Sequence, residues 1–180
     1  MTVDLPERAL PEVIGGLLRD VPDFPSPGVL FKDIAPLLAD PVAFGRCVDA
    51  LAESPGAADA DLIAGVEARG FIVAAALARA VGAGMLPVRK AGKLPPPTLS
   101  ASYQLEYGRA EIEVPAGQLD GRRVYLVDDV LATGGTMAAS ADLLGRAGAQ
   151  VLGLGVLVEL AFLNGRAVLG GHQLTALLTL

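Results

Sequence analysis

The sequence has very few of the residues that build covalent crosslinks and metal sites. It contains one cysteine, Cys47, and one histidine, His172. An internal disulfide, a CxxC knuckle and a two-histidine zinc site within one chain are therefore excluded. A serine triad would have to use His172, and no G-x-S-x-G elbow accompanies it. We interpret His172 as a turn residue and Cys47 as a helix-core thiol, and assign neither a role in chemistry.

Long apolar runs are also missing. The longest uninterrupted run, Phe71–Ala78, has eight residues, whereas a membrane-spanning helix needs about 20. The first 22 residues carry four carboxylates and no apolar block, so we expect no secretory signal. These features predict a cytoplasmic protein without membrane partners.

Positive charge is in the minority, because 14 Lys and Arg face 20 Asp and Glu, for a net charge of −6. Such a chain is a poor candidate for holding nucleic acid, since cations must replace the counterions of the phosphates. Hydrophobic residues make up 52% of the 180 residues and charged residues 19%. This composition and length predict one globular domain over residues 1–180.

Apolar runs that alternate with helical patterns predict an α/β fold. Strands are predicted at Leu62–Val66, Met85–Val88, Val124–Val127 and Val151–Val158, with helices over 7–20, from Asp40-Pro41, over 71–81 and over about 136–147. Such alternation predicts a mainly parallel, twisted sheet flanked by helices. Residues 174–180 are predicted to be a final edge strand.

Residues 91–115 break this pattern. They contain Pro95-Pro96-Pro97 and then two stretches in which polar and apolar residues alternate. This segment predicts an inserted, flexible hairpin or flap that lies outside the core.

The most informative segment is Val124–Thr136, in which a predicted strand leads into a loop of small residues. The strand brings two carboxylates, Asp128 and Asp129, to its carboxyl end, which is where α/β sheets bind ligands. The following loop can form an anion cradle from backbone N–H groups, hydroxyls and a helix N-terminus. Its residues are Ala132, Thr133, Gly134, Gly135 and Thr136.

This loop is neither a Walker loop nor a dinucleotide fingerprint, because G-K-[ST] and G-x-G-x-x-G are absent. Carboxylates repel phosphate but accept hydrogen bonds from sugar hydroxyls and can help to hold Mg²⁺. An acidic pair beside an anion cradle therefore predicts a ribose 5-phosphate ligand. The alternative is an ordinary helix cap and turn with both carboxylates in solvent.

The same segment resembles the signature of the type I phosphoribosyltransferases, which bind 5-phosphoribosyl-1-pyrophosphate. Three further stretches, Asp23–Ile34, Pro87–Pro95 and Ser102–Gly108, resemble the adenine-specific branch of that family. The resemblance covers about residues 22–160. It implies the type I phosphoribosyltransferase fold, with residues 1–34 as a base-binding hood and residues 91–115 as the flap.

A second candidate anion site follows the first predicted strand of the sheet. Its residues are Glu67, Ala68, Arg69 and Gly70, and the alternative is a plain strand-to-helix turn with a surface arginine. The resemblance makes this the pyrophosphate loop, with Arg69 in contact with the ligand.

A basic cluster of Arg89, Lys90 and Lys93 follows the next strand. On its own, this cluster could be a solvated face. The resemblance implies that Lys90 and Lys93 lie near pyrophosphate. It also implies that Arg89 reaches the active site of a neighbouring subunit, so a homodimer is expected.

The predicted flap carries Glu106 between two aromatic residues, Tyr103 and Tyr107. A closing flap would exclude water from a reactive cation, and the alternative is a solvent-facing hairpin. The resemblance implies that Glu106 is the catalytic residue that handles the purine proton and that Tyr107 lies beside it.

The Pro-rich turn is followed by Leu30, Phe31 and Lys32. A phenylalanine at this position could simply plug the core. The resemblance implies instead that Phe31 stacks on adenine while backbone groups of Leu30 and Lys32 read the edge of the base. Many family members carry arginine where Lys32 stands.

The resemblance therefore implies transfer of ribose 5-phosphate from 5-phosphoribosyl-1-pyrophosphate to adenine, which gives AMP and pyrophosphate in purine salvage. Mg²⁺ is the expected cofactor and is expected to bind mainly through the phosphoribosyl donor. Two alternatives stay open: transfer to hypoxanthine, guanine or xanthine, and a nucleotide-sensing regulator that binds nucleic acid without catalysis.

Overall fold

The computed structural model describes residues 8–105 and 108–180. The helices are α1 (Leu10–Leu17), α2 (Ala35–Ala39), α3 (Pro41–Ala52), α4 (Gly70–Val81) and α5 (Gly135–Arg146). The strands are β1 (Arg19–Pro22), β2 (Leu30–Asp33), β3 (Leu62–Val66), β4 (Gly84–Lys90), β5 (Thr98–Leu105), β6 (Gly108–Pro115), β7 (Arg123–Leu131), β8 (Gln150–Glu159) and β9 (Leu174–Thr179). Within these two stretches no helix has both the length and the apolar character needed to cross a bilayer.

A seven-stranded sheet of order β5-β6-β4-β3-β7-β8-β9 forms the centre of the molecule. Strands β4, β3, β7, β8 and β9 run parallel, and β3 pairs Leu62 with Gly84 on one side and with Val124 on the other. The predicted α/β fold with a mainly parallel sheet flanked by helices is confirmed. The last strand, β9, is the predicted edge strand.

Alternation along the strands divides the core between the two faces of the sheet. On β3, Ile63 belongs to the buried cluster that contains residues of α1, α3 and α4, whereas the next residue, Ala64, belongs to the cluster that contains residues of α5. This is the period of two that a strand buried on both sides requires. The helices thus cover both faces and leave the carboxyl edge of the parallel strands open for loops.

The hairpin of β5 and β6 corrects one prediction. It was expected to lie outside the core, but β6 pairs antiparallel with β4 and extends the main sheet. Ala101, Ile112 and Val114 are buried in the same cluster as residues of α5. Polar and apolar residues alternate along these strands because the two faces differ, and this alternation does not argue against burial of the apolar face. One polar residue, Glu113, is buried as well, where it accepts hydrogen bonds from the backbone N–H groups of Lys93 and Leu94.

The amino-terminal segment corrects a second prediction, because the helix expected over 7–20 is shorter. Helix α1 ends at Leu17, and β1 then pairs antiparallel with β2 in a separate two-stranded sheet. Two cross-strand ion pairs, Arg19–Asp33 and Lys32–Asp20, each at 2.6 Å, accompany this pairing. These contacts with residues more than ten positions away favour a strand where local periodicity favoured a helix.

Candidate active site at the carboxyl edge of the sheet

The loops after β3 and β7 meet at the carboxyl edge of the sheet. Because the two strands are parallel neighbours, their following segments, Glu67–Arg69 and Asp128–Thr136, come side by side. They line one cavity of about 650 Å³, together with residues from the hairpin and from the end of β4. The structure thus brings together the two anion loops that the sequence predicted separately.

The acidic pair lies inside β7 rather than just beyond its end. The sequence predicted a strand that stops at Val127, but the pairing with β8 continues to Leu131. Both Asp128 and Asp129 still face the cavity. Strand geometry therefore holds the backbone of both residues, which restricts the positions that their carboxylates can take.

Asp129 is only 4% exposed and forms the ion pair that links the two loops. Its Oδ2 lies 2.9 Å from Nε of Arg69, but within the described part of the chain this oxygen has no aligned hydrogen-bond donor. A buried carboxylate oxygen without a donor is costly. A ligand hydroxyl in the cavity would supply the missing hydrogen bond.

Asp128 shares this edge with Asp129, and the two carboxyls affect each other. Part of Asp128 remains open to the cavity, while its Oδ1 accepts a hydrogen bond of 2.9 Å from the backbone N–H of Asp129. Burial of the carboxyl and the negative charge of Asp129 raise the pKa of Asp128 well above its ordinary value. Two ionised carboxylates are therefore unfavourable here until a ligand compensates them.

We expect Asp128→Asn to raise the melting temperature of the ligand-free protein at pH 8. The folded protein holds the proton of Asp128 more tightly than the unfolded chain does, whose aspartate pKa is about 3.9. The stability that this proton contributes is fully present below about pH 3.9 and is lost as the pH rises through the pKa of the folded protein. The amide cannot ionise, so it removes that loss and should raise the melting temperature at pH 8 above that of the wild type. Thermal unfolding followed by circular dichroism at pH 8 and pH 3.5 measures the gain, which should vanish at the lower pH.

Asp61→Asn is the matched control for this measurement. Hydrogen bonds from Arg123 lower the pKa of Asp61 to about 2, so its carboxylate stabilises the fold above pH 4 and is lost as a stabilising group at lower pH. Its amide variant should melt earlier at pH 8. A lower melting temperature for Asp128→Asn at pH 8 would contradict the repulsion between the two carboxyls.

The loop after β7, where the sequence predicts an anion cradle, is concave. Residues Leu131–Gly135 line a small concave site of about 80 Å³, together with Asp128 and Thr136. Gly134 adopts φ +82°, which places its backbone in the left-handed region directly before α5 begins. Small residues and a helix N-terminus at one concave point favour a phosphate-sized anion.

The hairpin contacts this loop directly. The hydroxyl of Thr136 donates a hydrogen bond of 3.1 Å to the hydroxyl of Tyr103 on β5. Tyr103, Ala110 and Glu111 also line the 650 Å³ cavity, so the hairpin forms one wall of the candidate site. The predicted catalytic residue Glu106 and its neighbour Tyr107 lie outside the described residues.

In the loop after β3, Glu67 organises the basic cluster. Its Oε2 accepts hydrogen bonds of 3.1 Å from the backbone N–H of Lys90 and from Nε of Arg89. Burial alone would raise the pKa of Glu67, but these hydrogen bonds outweigh it and lower the pKa. The carboxylate is therefore held ionised as a support for the basic strand end. The Glu67–Ala68 peptide bond is cis.

Only part of the basic cluster reaches the cavity. Lys90 lines it, whereas the Arg89 guanidinium is held by Glu67 and also donates to the carbonyl of Lys93 at 3.1 Å. The backbone N–H of Lys93 donates to buried Glu113 at 2.7 Å, and Lys93 does not line the cavity. Of the three predicted cations, only Lys90 faces the candidate site within this chain.

A second, more apolar cavity of about 790 Å³ adjoins the first one. It lies between the hood residues Gly28–Lys32 and the loop after β7, and Arg69 and Val130 line both cavities. The Arg69 guanidinium lies 4.9 Å from the centre of the Phe31 ring, and Phe24 packs edge-on against Phe31 at 5.1 Å. A flat apolar ligand and an anionic one could thus bind side by side.

The sequence interpretation missed one wall of the apolar cavity. Leu160, Phe162 and Leu163 line it, directly after β8 ends. Phe162 is 71% exposed, which is unusual for a large aromatic side chain. The available signal was positional, because an apolar cluster that follows a parallel strand must lie at the same sheet edge as the other loops.

Comparison with known proteins identifies the class that this arrangement defines. The family model for the phosphoribosyl transferase domain matches residues 47–165, which include both anion loops and the acidic pair. The chain therefore belongs to the phosphoribosyltransferase family.

Within that family the matches are to adenine phosphoribosyltransferases. The protein of that name from Streptomyces coelicolor is 59% identical over 93% of this chain and 95% of its own. The crystal structure of the Rhodothermus marinus protein has a TM-score of 0.90 at 44% identity, covering 96% of this chain and 98% of that one. The Saccharomyces cerevisiae protein, solved with an imino-altritol bisphosphate and adenine, has a TM-score of 0.84 at 36% identity, covering 93% and 98%. The chain belongs to this adenine-specific branch.

Proposed function

We propose that the protein transfers ribose 5-phosphate from 5-phosphoribosyl-1-pyrophosphate to N9 of adenine, giving AMP and pyrophosphate. The observation that carries this proposal is the pair of adjoining cavities, one polar with an anion cradle and one apolar, which share Arg69 and Val130. A transferase must hold a charged sugar donor and a flat base in line, and this pair of cavities fits those two ligands. The names of the relatives at 55–59% identity support the choice of adenine.

The donor would occupy the polar cavity. The backbone N–H groups of Ala132–Thr136 and the hydroxyl of Thr133 would bind the 5-phosphate. The hydroxyl of Thr136 would join them by turning from Tyr103 to the phosphate. Asp128 and Asp129 would accept hydrogen bonds from the ribose hydroxyls. One of these hydroxyls would supply the hydrogen bond that Oδ2 of Asp129 lacks. The Ala68–Gly70 backbone, Arg69 and Lys90 would bind the pyrophosphate end.

Adenine would occupy the apolar cavity and stack on Phe31. The backbone groups of Leu30 and Lys32 would read the edge of the base, because main-chain carbonyls accept from its exocyclic amine. The Lys32 ammonium is already paired with Asp20 at 2.6 Å, which favours recognition through the backbone over recognition through the side chain. Lysine in place of the usual arginine then changes base affinity little.

In the reaction, the bond from the anomeric carbon to pyrophosphate breaks as the bond to N9 forms, and the base loses one proton. Positioning of the two reactants can supply about 7–11 kcal/mol of the barrier. Glu106 would accept the purine proton, an effect of order 10²–10⁴-fold. The wall formed by Tyr103 and the rest of the hairpin would exclude water from the developing positive charge on the sugar.

The oxygen ligands that the chain offers fit a Mg²⁺ ion that arrives bound to 5-phosphoribosyl-1-pyrophosphate. Among the described residues no group of three or more His, Cys, Asp or Glu side chains could enclose a metal ion. Mg²⁺ characteristically combines one or two carboxylates with substrate phosphates and water, and Asp128 with Asp129 provide such carboxylates. When bound, the ion would neutralise charge on the departing pyrophosphate.

The test of the proposed function is a comparison of bases with the purified protein. Release of pyrophosphate from 5-phosphoribosyl-1-pyrophosphate is measured with adenine, hypoxanthine, guanine and xanthine in turn. Turnover with adenine at a kcat/KM at least 100-fold above the other bases is expected. If the enzyme preferred a 6-oxopurine, that base and not adenine would be the substrate. If no base were turned over, a nucleotide-sensing regulator would be favoured.

We expect Glu106→Leu to lower kcat by about 10²–10³-fold while the affinity for 5-phosphoribosyl-1-pyrophosphate changes less than threefold, because the lost group acts on the base proton. Glu106→Gln is the shape-matched control and should show a similar loss of kcat. Steady-state kinetics together with calorimetric binding of the donor separate the two effects. If donor binding falls and kcat does not, Glu106 clamps the substrate and is not the acid/base group.

We also propose a cytoplasmic homodimer in which Arg89 reaches the partner's active site, as the resemblance implies. This would require the Arg89 guanidinium to leave Glu67 and the carbonyl of Lys93, which hold it here. The net charge of −6 and the small-molecule cavities favour substrates over nucleic acid as binding partners. Light scattering coupled to gel filtration measures the oligomeric state, and a monomer at assay concentrations would overturn this part of the proposal.

A further inference from the structure

An ion pair between a buried carboxylate, Glu159, and a half-exposed guanidinium, Arg166, lies behind the phosphate loop. Neither residue lines the polar or the apolar cavity. Glu159, the last residue of β8, is only 4% exposed. Its Oε1 accepts from Nε of Arg166 and its Oε2 from Nη2, both at 2.7 Å. Such a two-pronged arrangement is the strongest and most directional form of an arginine–carboxylate contact.

The same pair ties three elements together. Nη1 of Arg166 donates to the carbonyl of Leu174 at the start of β9 at 3.2 Å, and the hydroxyl of Thr179 donates to Oε2 of Glu159 at 3.4 Å. The backbone N–H of Leu160 donates to the carbonyl of Leu131, where β7 enters the phosphate loop, at 2.9 Å. The segment 160–168 is thus fixed at both ends by contacts that depend on β7, β8 and β9.

This segment packs backbone to backbone against the phosphate loop. A side chain on Gly165 would collide with the carbonyl oxygen of Ala132 and would approach the N–H nitrogen of Gly134 to 3.1 Å. A side chain on Gly134 would in turn collide with the carbonyl oxygen of Gly165 and would meet Cγ2 of Val168 at 2.7 Å. The turn that contains Arg166 therefore supports the loop that forms the anion cradle.

We propose that the Glu159–Arg166 pair is a positioning device that sets the affinity for the sugar-phosphate end of the donor. The pair holds segment 160–168 against Ala132 and Gly134 and so keeps the cradle N–H groups convergent. This inference rests on the proposed function only in naming the donor. Loss of the pair widens the cradle and weakens phosphate binding more than it slows chemistry, because neither residue touches the reacting atoms.

The experiment compares Arg166→Gln and Arg166→Lys with the wild-type protein. For Arg166→Gln we expect about a tenfold rise in the dissociation constant for 5-phosphoribosyl-1-pyrophosphate, measured by calorimetry without base. The KM for the donor should rise in parallel while kcat stays within threefold. Arg166→Lys keeps the charge but loses the planar fork, so its dissociation constant should lie between those of the wild type and of Arg166→Gln. It should also remain folded if Arg166→Gln does not.

Arg123→Gln is the matched control. Arg123 forms a comparable pair with Asp61, at 2.8 Å, but at the opposite edge of the sheet. The Arg123→Gln substitution should lower the melting temperature and leave the binding of 5-phosphoribosyl-1-pyrophosphate unchanged. The inference is overturned if the Arg166 variants melt earlier but bind the donor like the wild type. Because donor binding is measured without base, that failure is separate from a failure of adenine as the substrate.

Discussion

The combined substitution Asp128→Asn and Asp129→Asn is expected to lower kcat/KM by about 10³-fold or more while the protein stays folded. Both carboxylates face the polar cavity, and the buried Oδ2 of Asp129, although paired with Arg69, has no aligned hydrogen-bond donor and can accept from a ligand. A hydrogen bond to a charged group contributes about 1.5–3 kcal/mol, so two of them correspond to roughly 10²–10⁴-fold. The misorientation of Arg69, which pairs with Asp129, adds to that loss.

Steady-state kinetics with varied donor and circular dichroism of the same samples measure the two sides of this prediction. The control is Asp59→Asn with Asp61→Asn, which removes two carboxylates before β3, at the opposite edge of the sheet. Its activity should stay within twofold of the wild type even though the Asp61–Arg123 pair is lost. Full activity in the Asp128 and Asp129 double variant would show that the acidic pair does not bind the ribose.

Gly134→Ala should lower kcat/KM by about 10²-fold and destabilise the fold. The residue has φ +82°, where an alanine costs roughly 1–2 kcal/mol. Its added methyl would also collide with the carbonyl oxygen of Gly165, which costs about 1–3 kcal/mol more. The cradle must then open to relieve the collision, and phosphate binding is lost with it. Donor KM and urea unfolding measure these two consequences.

Gly82→Ala is the control that separates the two effects of an added methyl, because it adds the cost of a positive φ without any collision. Gly82 has φ +74° after α4, and an added methyl there meets nothing within 4 Å. This variant should lose stability without losing activity. If Gly134→Ala behaves in the same way as Gly82→Ala, then the contact between the phosphate loop and segment 165–168 has no role in donor binding.

The sequence by itself determined the parts of the site that depend on neighbouring residues. The order of acidic pair, small residues and helix start is contained in one 13-residue segment, Val124–Thr136. Its conformation follows from local backbone preferences, such as the freedom of Gly134 to adopt positive φ. The alternation of strands and helices likewise predicted a parallel sheet, and therefore a common edge for the loops after β3 and β7.

Only the tertiary structure decided which elements meet across the chain. The burial of Ile112 and Val114 follows from the pairing of β6 with β4, and β1 exists because it pairs with β2. The bond between Tyr103 and Thr136 and the support of Gly134 by Gly165 depend on how separate segments pack. A sequence pattern records which face of an element is apolar, but not which partner covers it. That choice is made by the packing of the whole chain.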